Sequence, residues 1–196
     1  MSQKLKDKIL LAALPDVTFD GWSAGLFLQA ARKIGMPEDD VRALFPKGPL
    51  DLILHFSDWA DRAVLEKLPP PKKFMALKVR ERIALGVRTR LEALAPHKDA
   101  LRQSLGFFAL PWRKPLLAKM VWKSADHIWH AAGDAATDYN YYSKRTLLAG
   151  VMSSTTLCWL GDSSKNHQDT WEFLDRRIDN VLKIGQLIGR FKKKAA

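Results

Sequence analysis

The fourteen residues Ala132-Gly-Asp-Ala-Ala-Thr-Asp-Tyr-Asn-Tyr-Tyr-Ser-Lys-Arg145 decide the fold, because they interrupt an apolar helical pattern that resumes near Tyr139. A polar break between two long apolar helices lies at the surface, where water can solvate its backbone. The stretch is therefore predicted to connect two helices, with an Asp or Thr as the N-cap of the second. A second interpretation is a recognition patch, since the stretch holds all three tyrosines, and rigid aromatics and Arg anchor interfaces.

Apolar residues spaced with a period of about 3.6 run through nearly the whole chain, and this spacing predicts an all-α protein of about nine helices. Pro69, Pro70 and Pro71 mark the clearest boundary, because successive prolines cannot continue a helix. They divide the chain into an N-terminal module, residues 1–68, and a helical bundle, residues 72–196. The bundle is predicted to begin with a single long helix over residues 72–95.

The N-terminal module has the helix order of a helix-turn-helix DNA reader but not its charge. Two predicted helices, residues 22–34 and 38–45, are joined by a short turn that contains Gly35. Residues 1–68 carry a net charge of −1, and the second helix begins with three acids that would face DNA phosphates with the wrong sign: Glu38, Asp39 and Asp40. No nucleic-acid partner is therefore predicted, and a ligand-responsive transcriptional regulator is the alternative interpretation.

Two motifs that carry chemistry in other proteins have a plainer interpretation here. Gly21-Trp-Ser-Ala-Gly25 matches the Gly-x-Ser-x-Gly pattern of serine hydrolases, which requires a strand before the Ser. No strand pattern precedes it, so Ser23 is predicted to lie in the first turn of a helix, with Asp20 as its cap. His127 and His130 are three residues apart on a helix but lack a dependable third metal ligand. No catalytic residue, metal site or cofactor is predicted, and an enzyme is the weaker interpretation.

Cysteine content and the N-terminal residues bear on the compartment. The single Cys158 cannot form an intramolecular disulfide and excludes a zinc site built from several cysteines. The N-terminal residues match neither a secretory signal nor an import leader. The longest uncharged run, residues 147–161, is too short and too polar to span a bilayer. These features predict a cytosolic protein.

The C-terminal segment, residues 183–194, combines an apolar stripe with basic charge. A short basic amphipathic helix of this kind can lie in an anionic membrane interface. The alternative is a frayed helix end whose apolar stripe packs on the bundle and whose lysines complement the helix dipole. On the first interpretation the membrane-binding residues are Ile184, Leu187, Ile188, Phe191, Lys192, Lys193 and Lys194.

Two motifs identify a family resemblance. The strongest matches are Ala132-Gly-Asp…Thr-Asp-x-Asn-x-Tyr-x-Lys-Arg145 and Thr170-Trp-x-Phe-Leu-Asp-Arg-Arg-Ile178. A weaker match is Arg80-x-Arg…Arg90-Leu-x-Ala-Leu-Ala-Pro96. On these residues the chain resembles, over nearly its whole length, the ubiquinone-biosynthesis accessory protein family (the Coq-nine family), lipid-binding proteins with a TetR-regulator-like fold.

The resemblance implies an all-helical homodimer that holds a lipid or an isoprenoid quinone in an apolar cavity. It further implies a non-catalytic protein that presents the quinone precursor to the demethoxyubiquinone hydroxylase at the membrane. Because the N-terminal residues match no import leader, the resemblance implies a cytoplasmic bacterial protein that is peripheral to the inner membrane. The Trp-Tyr pair that contacts the hydroxylase in the family falls on Tyr141-Tyr142, where Tyr replaces the Trp. The implied partner-binding residues are Trp129, Asp138, Tyr141, Tyr142 and Arg145.

The large aromatic rings of the bundle are compatible with such a cavity. Trp112, Trp122, Trp129, Trp159 and Trp171 supply more aromatic mass than a small core requires, although core packing is the commoner use of such rings. The sequence does not separate these two uses. The predicted lipid-binding residues are Trp122, Leu147, Val151, Trp159 and Trp171.

Overall fold

The structure, a computed structural model, describes residues 2–137 and 139–194, and the side chains of residues 2, 139 and 184–194 lie outside the description. Within these residues the secondary structure is entirely helical, which confirms the all-α prediction. The helices of the first half are α1 (Ser2–Ala13), α2 (Val17–Asp20), α3 (Ala24–Lys33), α4 (Glu38–Leu44), α5 (Pro49–Lys67) and α6 (Pro71–Ala76). Those of the second half are α7 (Val79–Leu94), α8 (Lys98–Phe107), α9 (Lys114–Ala131), α10 (Tyr139–Gly161) and α11 (Gln168–Lys194). Short 3-10 turns at Ala95–His97, Pro111–Arg113 and Lys165–His167 precede α8, α9 and α11.

The single helix predicted over residues 72–95 is wrong, because the chain breaks at Leu77. Leu77 ends α6 in an extended conformation, with a ψ of 152°. The following Lys78 immediately precedes α7, and its backbone N–H donates a 2.8 Å hydrogen bond to a carboxylate oxygen of Glu81. A Glu three residues into a helix that reaches back to the cap is half of a capping box. The structure therefore describes more helices than the sequence predicted, because residues 72–95 form two helices and α2 is an additional short helix.

The chain divides into two compact units, and their boundaries differ from the predicted division at the prolines. The N-terminal unit comprises Met1–Glu66 and Glu92–Met120, and the C-terminal unit comprises Lys67–Leu91 and Val121–Ala196. Residues 92–120 join the N-terminal unit because α8 packs on it. The indole N–H of Trp22 donates to the carbonyl of Ala100 at 3.1 Å, in a buried position that only this packing provides. A proline run ends a helix locally, but it carries no information about where the chain returns.

In the N-terminal unit, α3 and α4 form the predicted helix-turn-helix arrangement. The hydroxyl of Ser23 accepts a 3.1 Å hydrogen bond from the backbone N–H of Leu26, so Ser23 is itself the N-cap of α3. The predicted position of Ser23 inside the first turn, capped by Asp20, is therefore wrong. Glu38 opens α4 and pairs with Arg32 of α3 at 2.9 Å. The Ser of the hydrolase-like motif thus has a helix-capping role.

The C-terminal unit is built on a core shared by α7, α9, α10 and α11. Gly86 of α7 lets two helices approach closely, since a Cβ atom there would lie 2.9 Å from Cγ2 of Ile128. Core residues recur at three- and four-residue intervals along each helix, as an apolar stripe requires. They are Ile83, Val87, Ala125, Ile128, Ala132, Leu148, Val151, Met152, Leu174 and Ile178.

The carboxylate of Asp162 holds the start of α11 against the end of α10. It accepts hydrogen bonds from the backbone N–H of Ser164 at 2.7 Å and from the N–H and hydroxyl of Thr170 at 3.0 and 2.5 Å. These hydrogen bonds stabilise the charged carboxylate and hold the pKa of Asp162 well below its usual range. Thr170 opens one of the two motifs that carried the family resemblance, and its buried hydroxyl explains why a hydrogen-bonding residue is needed there.

Through the described residues, no helix is long and apolar enough to cross a membrane.

Candidate functional site

The C-terminal unit contains a cavity of about 430 Å³, which we call the bundle cavity. A volume of this size falls within the range of small-molecule binding sites. Four elements contribute to its wall: α7, α9, α10 and α11. The lining residues are Val79, Arg80, Ile83, Trp129, Asn140, Ser143, Lys144, Leu147, Leu148, Val151, Ile178, Val181 and Leu182.

Most of the wall is apolar, and it continues the core of the unit. On α10, the lining residues Lys144, Leu147, Leu148 and Val151 follow the spacing of one helix face. Leu148 and Val151 are also members of the buried core, so one side of the cavity is the core surface itself. The cavity is therefore suited to a ligand that is mainly hydrocarbon.

Four polar side chains lie in this apolar wall, and two are fixed by carboxylates. The guanidinium of Arg80 donates to Asp179 at 2.8 Å and lies 3.5 Å from Asp175. The ammonium of Lys144 donates to Asp134 at 2.6 Å. Asn140 and Ser143 complete the polar set on the first turns of α10. Together these groups can donate hydrogen bonds to an oxygen acceptor of a bound ligand.

The predicted lipid-binding residues divide into two groups. Leu147 and Val151 line the bundle cavity, and so does Trp129, which the sequence had assigned to a partner surface. Trp122, Trp159 and Trp171 are not among the lining residues, so their predicted lipid-binding role is corrected for this cavity.

Each of these three tryptophans has another role. Trp159 is fully buried, with its ring centroid 5.7 Å from that of His167. The ring of Trp171 lies under the guanidinium of Arg88 at 4.8 Å, and its indole N–H donates to the carbonyl of Asn166. The ring of Trp122 meets Tyr141 edge-on at 5.8 Å. They serve packing and ring contacts within the unit.

Next to the cavity, Arg145 links α9, the polar connection and α10. Its Nε donates to Asp126 at 2.5 Å, and its Nη1 donates to Asp134 at 2.9 Å and to the carbonyl of Tyr141 at 3.1 Å. The Arg145 side chain is only 2% exposed. We call Asp126, Asp134, Lys144 and Arg145 the charge cluster. The predicted partner-binding role of Arg145 is corrected, because a buried guanidinium that is bound to two carboxylates is not available to a partner.

The charge cluster determines the ionisation of Asp134. Burial alone would raise the pKa of this carboxyl, but hydrogen bonds from Lys144 and Arg145 outweigh it and hold the pKa below its usual range. Gly133, just before it, has a φ of +85°, a left-handed conformation that L side chains rarely adopt. A glycine at this position therefore turns the chain out of α9 and allows Asp134 to reach the cluster.

We call Tyr141 and Tyr142 the tyrosine patch, which has one partly buried member and one exposed member. The hydroxyl of Tyr141 donates to Asp126 at 3.2 Å, and its ring lies 3.5 Å from the guanidinium carbon of Arg145. Tyr142 packs edge-on against Tyr141 at 5.1 Å and is 62% exposed. Tyr142 is thus the member of the predicted patch that a partner can reach, while Tyr141 supports it. Asp138 lies outside the described residues.

The remaining predictions concern the C-terminus and metals. The backbone of α11 continues to Lys194, but the side chains of the predicted membrane segment, from Ile184 onward, lie outside the description. Among the described residues, no group of three or more His, Cys, Asp or Glu side chains is placed to hold a metal ion.

Sequence reasoning missed several lining residues of the cavity. Arg80, Asn140, Ser143 and Leu182 were not predicted to belong to a site. Arg80 and Asn140 belong to the motifs of the family resemblance, but those motifs did not indicate a binding role for either residue. The one available signal was the spacing of Ser143, Lys144 and Leu147, which places two polar groups beside an apolar stripe on α10.

Comparison with known proteins confirms the predicted resemblance. A sequence model of the COQ9 family matches residues 115–185, which include the tyrosine patch and most of the cavity wall. The chain is 33% identical to Ubiquinone biosynthesis protein COQ9, mitochondrial, of Xenopus tropicalis, over 93% of this chain and 59% of the frog protein. It is 30% identical to the protein of the same name from Homo sapiens, over 97% of this chain and 61% of the human one. The chain thus spans about three fifths of the length of these relatives, both of which are named as ubiquinone biosynthesis proteins.

The fold has a close neighbour among solved structures. The TetR transcriptional regulator from Nitrosomonas europaea ATCC 19718 superposes with a TM-score of 0.73, covering 91% of this chain and 98% of the regulator. Sequence identity is 22%, so the likeness concerns the fold alone. It confirms the predicted TetR-like architecture.

The predicted bacterial, inner-membrane location is wrong. The relatives are named as mitochondrial proteins and come from eukaryotes that include human, frog and fly. The prediction rested on the N-terminal residues, which do not indicate location in a chain that spans only part of its relatives.

Proposed function

We propose that this chain, which is similar to the COQ9 ubiquinone biosynthesis proteins over most of its length, is a non-catalytic lipid-binding accessory protein. Its bundle cavity holds an isoprenoid quinone precursor or another lipid, and its tyrosine patch docks the demethoxyubiquinone hydroxylase. The chain works as a homodimer at a membrane, with residues 184–194 as a membrane contact. The observation that carries the proposal is an apolar cavity whose wall includes the same turns of α10 that present Tyr142.

The chemistry of the wall fits a quinone precursor with a hydrocarbon tail. Leu147, Val151 and Val181 offer apolar surface to the tail. Ring oxygens of the head group accept hydrogen bonds, and Arg80 and Lys144 are donors in the same wall. The chain supplies binding and orientation in this scheme, and the partner enzyme supplies the reaction.

Native mass spectrometry of gently purified protein tests the proposal directly. We expect a co-purified lipid or isoprenoid, or a mass increase when a ubiquinone precursor is added. A protein that carries no lipid and takes up neither quinone nor phospholipid would overturn the proposal.

Substituting Leu147 with Glu is expected to lower lipid or quinone uptake at least tenfold. Leu147 is half-buried in the cavity wall, so a ligand that covers it would have to desolvate the new carboxylate at high cost. Leu157→Glu is the matched control: it makes the same change on the same helix at a side chain that is 62% exposed. Titration of each variant with a fluorescent isoprenoid measures its lipid uptake and so compares Leu147→Glu with Leu157→Glu. Equal uptake by the Leu147 and Leu157 variants would exclude the bundle cavity as the lipid site.

Tyr142→Ala is expected to weaken association with the hydroxylase about 30-fold, as for an aromatic hot spot worth about 2 kcal/mol. The exposed ring makes its described ring contact with Tyr141, so its removal leaves the charge cluster intact. Leu157→Ala, at the same 62% exposure, is the control for loss of exposed apolar surface on α10. Surface plasmon resonance with the purified hydroxylase gives both affinities. An unchanged affinity for Tyr142→Ala would remove the docking role from the patch.

The TetR-like fold raises a second candidate, a ligand-responsive transcriptional regulator. The helix that would enter the DNA groove is α4, and its first turn carries Glu38, Asp39 and Asp40. Acids at that position repel phosphates, so the electrostatics favour the accessory protein. A tight, sequence-specific DNA complex with a steep salt dependence would reverse this preference.

A further inference from the structure

The N-terminal unit exposes an apolar surface around Trp112, at the entry to α9. Trp112 is 70% exposed, and Leu110 and Leu116 are also large exposed hydrophobic residues. Monomeric proteins expose single apolar side chains routinely, but a cluster that includes a Trp marks an interaction site. We call Leu110, Trp112, Lys114, Leu116 and Lys119 the Trp112 surface.

Local geometry places three members of this surface on one helix face, and Leu110 and Lys114 are their neighbours along the chain. The 3-10 turn Pro111–Arg113 leads directly into α9 at Lys114. Trp112, Leu116 and Lys119 are therefore spaced four and three residues apart along a continuous helical path, which puts them on one face. Pro111 and Pro115 fix the backbone φ on both sides of the Trp. The surface is held in shape by its own chain.

The charged residues of the chain segment that carries this surface have one sign. Residues 100–125 contain five Lys or Arg and no Asp or Glu. Lys114 and Lys119 are exposed. The guanidinium of Arg113 lies 3.8 Å from the ring of Phe107 and donates to the Phe107 carbonyl at 3.0 Å, which fixes a third positive charge at the base of Trp112. A partner that covers this surface must be anionic and must accept apolar side chains.

We propose that the Trp112 surface is a membrane contact, which inserts Trp112 into the interface of an anionic phospholipid bilayer while Lys114 and Lys119 meet the head groups. Trp is enriched at the membrane–water interface, and basic side chains near an anionic leaflet add to the attraction. The aliphatic Leu110 and Leu116 favour a bilayer over a single-stranded nucleic acid, because bases stack on flat rings and gain little from Leu.

This surface is separate from the sites of the proposed function. It lies in the N-terminal unit, whereas the bundle cavity, the tyrosine patch and residues 184–194 belong to the C-terminal unit. Binding of the Trp112 surface to vesicles without quinone does not require an occupied cavity. Failure of the lipid-carrier proposal would therefore leave this one standing, and the reverse also holds.

Co-sedimentation of the full chain with vesicles tests the proposal, using phosphatidylcholine alone and phosphatidylcholine with about one third phosphatidylglycerol. Trp112→Ala is expected to lower partitioning onto the anionic vesicles about tenfold, through lost apolar burial. Lys114→Gln with Lys119→Gln is expected to lower it roughly 25-fold, since each basic residue at such a surface contributes about fivefold.

Phe19→Ala is the matched control. Phe19 is in the same unit and is 88% exposed, but it lies beside Asp20 rather than among lysines, so its removal should leave partitioning unchanged. Circular dichroism spectra that match the parent protein establish that each variant is folded. Partitioning that is unchanged in both Trp112 and Lys variants, or a loss that is equal for Phe19→Ala, overturns the proposal. Tighter binding to a single-stranded oligonucleotide than to the vesicles, abolished by Trp112→Ala, overturns it in favour of nucleic acid.

Discussion

Replacing Arg145 with Met is expected to lower the free energy of unfolding by about 3–5 kcal/mol, the cost of removing one partner from a buried ion pair. The guanidinium is almost fully buried and donates to both Asp126 and Asp134. Met fills much of the same volume but leaves the nearly buried Asp134 carboxylate with a single cationic partner, Lys144. The loss of stability comes from a nearly buried carboxylate whose charge is only partly compensated, rather than from a cavity.

Urea unfolding of the Arg145→Met protein, followed by circular dichroism, measures this change. The control is Arg32→Met, which breaks the pair with Glu38 at a side chain that is 70% exposed. Exposed pairs contribute about 0–1 kcal/mol, so this variant should unfold nearly like the parent protein. Adding Asp134→Asn to Arg145→Met should recover part of the loss, because it removes a nearly buried carboxylate that has lost one of its two cationic partners. A loss below about 1 kcal/mol for Arg145→Met would show that the cluster contributes little to stability.

The same cluster predicts a pH dependence. The pKa of Asp134 is lowered in the folded protein, so its contribution to stability is present above the unfolded pKa, which is about 3.9. The contribution is lost as the pH falls through the folded pKa. The parent protein should therefore lose this stability only below about pH 4. The Arg145→Met variant keeps the hydrogen bond from Lys144 but lacks the part of the contribution that Arg145 supplies, so it should show a shallower loss over the same range.

Trp159→Ala is expected to lower the free energy of unfolding by about 3–5 kcal/mol while leaving lipid binding by the folded protein unchanged. Trp159 is one of the largest fully buried side chains of the chain, and its truncation leaves a cavity in the core. For a chain of this size such a loss lowers Tm by roughly 6–20 °C. Because Trp159 is not part of the bundle-cavity wall, the ligand site should survive wherever the protein stays folded.

Differential scanning calorimetry and isoprenoid titration below the new Tm test both halves of this expectation. Trp112→Ala is the control, because the same truncation at a 70% exposed ring creates no buried void and should shift Tm little. A Trp159→Ala protein of normal Tm would contradict the core assignment. If the Trp159→Ala protein is folded at the temperature of the titration but no longer binds the isoprenoid, Trp159 would instead belong to the lipid site.

Several features of the fold follow from local chemistry and were predictable. The 3.6-residue spacing predicted the helices from Tyr139 to the end of α10 and from Pro49 to Lys67 to within one or two residues. The polar connection after Ala132 was also predicted, because Gly133 and the short polar residues favour a break over a helix. The break at Leu77 was not predicted, because no Gly or Pro marks it. The cap that Glu81 forms with the backbone of Lys78 is also hard to recognise in sequence, since a Glu is equally common inside a continuous helix.

The site was harder to predict than the fold, for a physical reason. A residue that lines a cavity and a residue that fills a core obey the same helical period, so Leu147 and Trp159 look alike in sequence. Large rings were assigned to the cavity on size alone, yet Trp159 packs in the core and Trp129 lines the cavity wall. Whether an apolar stripe packs in the core or lines the cavity depends on the relative positions of α7, α9, α10 and α11.

The sequence by itself determined the all-helical class, the family resemblance and the polar connection that precedes Tyr142, because each depends on residue types at short spacing. Only the tertiary structure decided that Arg145 faces inward, where its charge is compensated by Asp126 of α9 and Asp134 of the connection. Only the structure separated the bundle cavity from the core and joined α8 to the N-terminal unit. Burial and ion pairing are set by contacts between residues distant in sequence, and no local pattern specifies them.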